Sequence, residues 1–305
     1  NHLLILSMFL LTKLSAQDTT VPKLTLNGYV KALQTSSFDK IDHTSFSGQL
    51  VHNRLNLKWK PNNTIAFTSE LRNRLFFGEQ VSRTADFVNQ LRNSSDYFNW
   101  QKTWINNNEL VLVSNVERLY VDIKKEKWNL RLGRQRVNWG IATTWNPNDL
   151  FNAYNFLDID YEERPGSDAV KFQYPISDFS SLELVHSKSS NNKSISVAKY
   201  SMNKWNYDFQ FITGIYKGNS TLGSGWAGSI KDVGFKGEIQ YYFRNNQVAD
   251  QLNMTMELDY MFKKGWYINI GSLYNSRGIN QAVTNFSALN LNLSAKNLMP
   301  TRYNY

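Results

Sequence analysis

Basic side chains recur at every second position in the first half of the sequence. His52, Arg54, Lys58 and Lys60 share one face of an extended segment, as do Arg72 and Arg74, and again Arg118 and Lys124, because successive side chains of a strand point to opposite sides. With Lys31 and Arg131 they make a candidate basic wall, diluted by Glu70 and Asp122. Residues 1–140 carry 19 Lys and Arg against 11 Asp and Glu, whereas the remainder carries 15 against 14, so the excess charge sits in the first strands. A cationic wall around an aqueous passage raises the local anion concentration and selects ions by its field. The competing reading is solvated rim charge, since Lys58, Lys60 and Lys124 fall beside expected turns.

A second group of charges has the opposite sign. Asp158, Asp160, Glu162 and Glu163, followed by Asp168, are opposed locally by Arg164 alone. Their spacing does not match a twelve-residue helix-loop-helix calcium loop, although a calcium site built from these carboxylates stays open. Other chemistry has little support. The four histidines are His2, His43, His52 and His186; the last two are isolated strand residues, and no G-x-S-x-G nucleophile elbow accompanies them. Catalysis is therefore not expected, and neither a metal nor a cofactor is. The chain has no cysteine, hence no disulfide framework. The sequence pI of about 9.4 does not imply nucleic-acid binding if the chain is exported.

Export is what the start of the chain suggests. Leu3 to Leu11 is a short, mainly apolar run, followed by Leu14-Ser15-Ala16 with a small residue at the cleavage position, the pattern of a secretory signal peptide cut after Ala16. The domain reading is thus 1–16 signal peptide, N-terminally incomplete, and 17–305 a single barrel, C-terminally truncated.

The elements that position the charges follow from period-two alternation. Val51, Leu55, Leu57 and Trp59 oppose His52, Arg54 and Lys58, and Phe67, Leu71, Leu75 and Phe77 oppose Glu70, Arg72 and Arg74. Strands are expected near 23–35, 47–60, 64–77, 115–124, 128–138, 168–175, 180–188, 194–202, 205–217, 225–231, 234–243, 253–262 and 266–275, with a last one beginning near 288 or 301. Short connections (61–63, 125–127, 176–179, 203–204, 232–233, 263–265) then alternate with long ones (78–114, 139–167, 244–252, 276–287). With the mature N-terminus in the periplasm, the short ones are periplasmic and the long ones external, the asymmetry of outer-membrane barrels. Aromatic residues make up 14% of the chain and cluster at strand ends, as in the two interfacial girdles of such barrels; a sandwich core is the alternative. The expected fold class is an all-β, transmembrane, antiparallel up-and-down barrel in the outer membrane, its partners lipid and small hydrophilic solutes, with a homo-oligomer possible.

Two details decide the lumen. Beyond Gly133, strict alternation sends Arg134 and Arg136 outward with Leu130 and Leu132, where a mid-membrane arginine costs roughly 2–4 kcal/mol. A glycine bulge would re-aim them inward; otherwise they reach the headgroups. Asn146-Pro147 reads as a helix cap and first turn, placing a short helix at 147–153. The aromatic-rich connection 139–167 is expected to fold into the barrel and set the constriction, its acids facing the basic wall; an external cap is the rival.

The stretches Arg118-Leu-Tyr-Val-Asp122, Leu130-Arg-Leu-Gly-Arg-Gln-Arg-Val-Asn-Trp-Gly140, Trp145-Asn-Pro-Asn-Asp-Leu-Phe-Asn152 and Arg164-Pro-Gly166 resemble a large family of Gram-negative outer-membrane porin-like barrels. The likeness is specific over about 115–175 and looser elsewhere, including Gly234-Phe-Lys-Gly-Glu238 and Asn297 to Tyr305. It implies a monomeric or trimeric barrel of about 14–18 strands and a channel for passive diffusion of small hydrophilic solutes, anion-preferring through the wall described above. The alternative function is a non-conducting surface binding or assembly barrel that uses the long loop 78–114.

Overall fold

The computed structural model describes residues 23–38, 45–84, 86–91, 97–151, 166–245, 249–278 and 302–304. The signal segment 1–16 and the acids Asp158, Asp160, Glu162 and Glu163 lie outside the described residues. The strands are β1 (Leu24–Phe38), β2 (Ser45–Trp59), β3 (Ile65–Phe77), β4 (Gln101–Asn106), β5 (Leu110–Lys125), β6 (Trp128–Gln135), β7 (Ser167–Ser177), β8 (Ser180–Lys188), β9 (Ser194–Lys204), β10 (Tyr207–Tyr216), β11 (Asn219–Ile230), β12 (Val233–Tyr242), β13 (Gln251–Met261), β14 (Tyr267–Asn275) and the two-residue β15 (Tyr303–Asn304). They form one antiparallel sheet in which sequence neighbours pair from β1 to β15; β4 alone stands off this path, as a hairpin on β5.

Alternation located most of these strands, β4 excepted, because one side of each faces apolar surroundings and the other a crowded polar interior. Outward residues such as Leu26, Val30, Leu55, Leu57, Leu119, Leu184, Phe211, Leu222, Leu258 and Ile270 are exposed. Their inward neighbours include His52, Arg54, Arg72, Gln210, Glu238, Gln240 and Thr255, all buried. A sheet whose exposed face is apolar and whose covered face is polar inverts the order of a soluble domain and suits a lipid-facing wall. Trp59 stacks on Phe67, and Trp205 and Trp266, each 75% exposed, mark the rim where the strands turn tightly.

That rim carries the short connections. Asn62 Oδ1 accepts from the amides of Thr64 and Ile65 at 2.9 and 2.8 Å. Trp205 and Asn206 both adopt positive φ (57° and 61°), as the twist of a two-residue hairpin demands. The split of 225–243 at Asp232 is present, with Lys231 at φ 57°. Two connections at the opposite rim depart from the expected asymmetry: β8 and β9 are joined by residues 189–193, and β10 and β11 by Lys217 and Gly218 alone, because β11 starts at Asn219 and not near 225.

The connection 78–114 differs from a plain external loop. It begins with two short helices, α1 (Glu79–Arg83) and α2 (Phe87–Gln90), whose Val81, Phe87 and Val88, with Leu91, pack on the inward residues Leu50, Phe76, Val111 and Val113. It then rises through β4, whose pairing with β5 runs from Gln101 opposite Asn115 to Asn106 opposite Val111. The sequence pattern missed β4, which is short and bounded by Asn-rich turns.

Candidate functional site

On the inner face of β2, β3 and β5 the basic residues meet. The register sets His52 opposite Arg74 and Arg54 opposite Arg72, and on the other side of β3 it sets Arg72 opposite Asn115 and Glu70 opposite Arg118. Arg54, Arg72, Arg74 and Arg118 are all buried there. Lys31 stands opposite His52 on β1, half-buried. Arg131 lies nearer the short-turn rim, bonded through Nε and Nη2 to Asp122 at 3.2 and 3.1 Å and set over the Tyr120 ring at 4.4 Å. Arg54 is ion-paired with Glu70, and Arg74 donates to Asn115 Oδ1 at 3.0 Å.

Nothing in the period-two pattern marks the acid at the centre of this group. The pairing of β3 and β5 slips between Glu70 and Leu71, so that Val116 faces Leu71 and Arg118 faces Glu70 with Glu117 between them. An extra residue in one strand turns two neighbours to the same side. Glu117 and Arg118 are accordingly both buried, and Glu117 Oε1 lies 3.1 Å from Arg72 Nε. Strict alternation from Arg118 would have put Glu117 outside.

The irregularity expected at Gly133 takes another form. Its φ of +117° excludes other residues, since a Cβ there would come within 2.3 Å of the Leu119 carbonyl oxygen, yet the pairing of β6 with both neighbours passes through it without a shift. Arg134 is buried at 4% exposure beside Asp168. That carboxylate also accepts from Trp100 Nε1 at 2.8 Å and the Phe98 amide at 3.3 Å, so the chain entering β4 covers the site. Arg136 stays exposed: the expected re-aiming fails there.

After β6 the chain turns into the interior. Trp139, almost fully buried, joins Val137, Leu150, Ala169, Val185, Ile195, Val197, Ile212, Tyr216 and Tyr242 in one apolar cluster. Its Nε1 donates to Glu183 Oε2 at 3.2 Å, Glu183 holds Lys199 at 2.9 Å, and the Lys199 ammonium sits 5.3 Å from the Trp139 ring centre. Gln210 Nε2 donates to the Trp139 carbonyl at 2.8 Å. Further along, the amides of Ile141, Ala142 and Asn148 donate to Glu238, and those of Thr143 and Thr144 to Glu257 at 2.7 and 2.8 Å. One connection between β6 and β7 thus touches β8, β10, β12 and β13, which requires the sheet to wrap around it.

No helix forms at 147–151, against expectation. The amide of Asp149 bonds to the Asn146 carbonyl and that of Leu150 to the Asn148 carbonyl, each at 3.0 Å, a succession of tight turns. The Asn148 amide is committed to Glu238 at 2.9 Å and its side chain to the Ser224 carbonyl at 2.9 Å, so the wall takes the bonds a helix would need. Room for this comes from β11: a Cβ on Gly225 would meet Ile141 Cδ1 at 2.9 Å and Asn148 Nδ2 at 3.2 Å.

A wrapped antiparallel sheet with an apolar exterior and a connection folded into its polar interior is an outer-membrane β-barrel. No protein-family profile matches the chain, and no curated protein matches it in sequence. Solved structures to which it is similar include OmpF of Salmonella typhi in complex with daunomycin (TM-score 0.48, 10% identity, 83% of this chain and 78% of that one). OccAB4 of Acinetobacter baumannii is similar at TM-score 0.48 and 10% identity, over 83% and 66% of the two chains. The trimer form of OmpT from Vibrio cholerae is similar at TM-score 0.45 and 10% identity, over 83% of each.

Proposed function

We propose that this protein is a porin-like channel through which small hydrophilic solutes diffuse passively across the outer membrane, with a preference for anions. The observation that carries this reading is the division of the interior. The infolded connection 137–151 is tied to β8, β10, β12 and β13, and the arginines of β2, β3 and β5 line the other side. Among the described residues of that side, Arg54, Arg72, Arg74, Arg118 and Arg134 stand against Glu70, Glu117 and Asp168, leaving a positive balance that favours anions. In this reading the opposite side of the constriction belongs to the acids Asp158, Asp160, Glu162 and Glu163, which lie outside the described residues. The short-turn rim is periplasmic, the mature chain starts after Ala16, and the working state is embedded in lipid, with self-association compatible with it.

The protein is not an enzyme in this reading. Among the described residues, a nucleophile and base approach each other at His186 Nδ1 and Ser196 Oγ, 2.7 Å apart. They lie on the outward side, and among the described residues no third group orients the imidazole. A second reading has one observation in its favour: two apolar clusters, one around Trp139 and one around α1 and α2, fill the interior from both sides, as a non-conducting surface barrel would allow.

Planar-bilayer recording decides between them. A channel gives discrete conductance steps and, at low salt, a reversal potential displaced towards anions; a surface barrel gives none. Replacing Arg54, Arg72, Arg74 and Arg118 by Gln should move the reversal potential towards cations. Replacing Asp158, Asp160, Glu162 and Glu163 by their amides should move it the other way. Both shifts should fade as salt shortens the screening length to about 8 Å and below. Unmoved reversal potentials in both sets would return the arginines to a packing role.

A further inference from the structure

Five backbone amides of the infolded connection end on two side chains, and those side chains are neighbours on the wall. Glu238 of β12 accepts from Ile141, Ala142 (2.8 Å) and Asn148 (2.9 Å), and Glu257 of β13 accepts from Thr143 and Thr144. Both carboxylates are buried. We propose that Glu238 and Glu257 are positioning residues that set the width of the pore, by fixing where residues 141–148 cross the lumen.

This rests on the channel reading above and adds to it the groups that hold the constriction. Residues 141–148 have no ladder of their own, so without the two carboxylates their amides would be buried donors lacking acceptors. An ionised carboxylate suits the task because it offers about four lone-pair positions and no donor, and bonds to it are roughly twice as strong as neutral ones. Glutamine has nearly the same shape but would turn an NH2 group on amides that also donate. The connection is therefore held in two different ways: by apolar packing of Trp139 and Leu150 against β7 to β10, and by hydrogen bonds to carboxylates of β12 and β13. The second hold bears on the stretch whose neighbour in β11, Gly225, stands opposite Glu238 in the register and leaves the space the stretch occupies.

The test compares the unmodified protein with the Glu238→Gln/Glu257→Gln double variant in planar bilayers. Steady single-level openings are expected of the former. The double variant should show a mean conductance changed by about two-fold or more, with flicker between sublevels, while strand content and unboiled gel migration stay as they were. A steady, unaltered conductance in the double variant overturns the proposal. Adding Ile141→Cys and Gly225→Cys to the double variant supplies a replacement tether, in a chain that has no other cysteine. Oxidation should restore the original level and reduction should abolish it, whereas oxidation without recovery overturns the proposal. If the double variant does not insert, Glu257→Gln alone is read in the same way. If the unmodified protein does not conduct, the channel reading is what fails. Amide exchange at Ile141–Thr144 then decides the hold itself, faster in the double variant supporting it and unchanged exchange overturning it.

Discussion

Glu117 sits where β5 takes in one residue more than its partner, and the slip delivers a carboxylate into a group of arginines. Removing one member of a buried ion pair costs about 3–5 kcal/mol when the other is left uncompensated, and Glu117 touches both Arg72 and Arg118. Glu117→Gln should therefore lower the urea midpoint of unfolding in detergent, and it should displace the reversal potential further towards anions because the arginines keep their charge. A variant that loses stability while holding the reversal potential would show that this carboxylate organises the wall without acting on permeating ions. The arginines themselves were legible in the sequence, since alternation assigns a face. Glu117 was not, because a bulge shifts that assignment by one residue and no glycine or proline marks it.

The strands were readable for a similar reason. Most show apolar residues on alternate positions and end at a turn rich in Asn, Asp, Gly or Lys, and the short turns at one rim, with antiparallel pairing between neighbours, then assign the strands their directions. The β4–β5 hairpin extends this logic: its tip, where Asn107 Oδ1 accepts from the amides of Glu109 and Leu110 at 3.0 and 2.7 Å, projects from the rim opposite Asn62 and Asn63. Cysteines at Asn108 and Asn63 leave those turn-closing asparagines in place. The first should react with an impermeant thiol reagent on intact cells and the second only after lysis. The reverse pattern would invert the barrel in the membrane.

At the scale of the whole molecule, the interior is as specified as the wall, and it was the least legible part. The sequence pointed to an infolded connection but not to its attachment points, Glu183, Glu238 and Glu257. The two-residue spacing of Glu238 from Lys236 and Gln240, and of Glu257 from Thr255, gives the side they face, while the identity of their partners depends on how far the sheet curves. Gly234 to Glu238 stood out only through the family resemblance, and the glycine at 225 reads as an ordinary strand irregularity until Ile141 is placed beside it.

The bonds that seat residues 141–148 also impose an order on folding. They join residues 90 to 114 apart in sequence, whereas most strand pairs close through turns of a few residues. Closing long loops costs more chain entropy and comes later, and here the acceptors do not exist until β12 and β13 have paired. The connection must wait, unattached, inside a sheet still growing around it. Refolding into detergent micelles should therefore show strand formation in the far ultraviolet before the seating of Trp145, half-buried within that stretch, followed as the fluorescence lost in a Trp145→Phe variant. Glu238→Gln should retard the second event alone, and a single shared rate for both signals would mean that sheet and connection condense together.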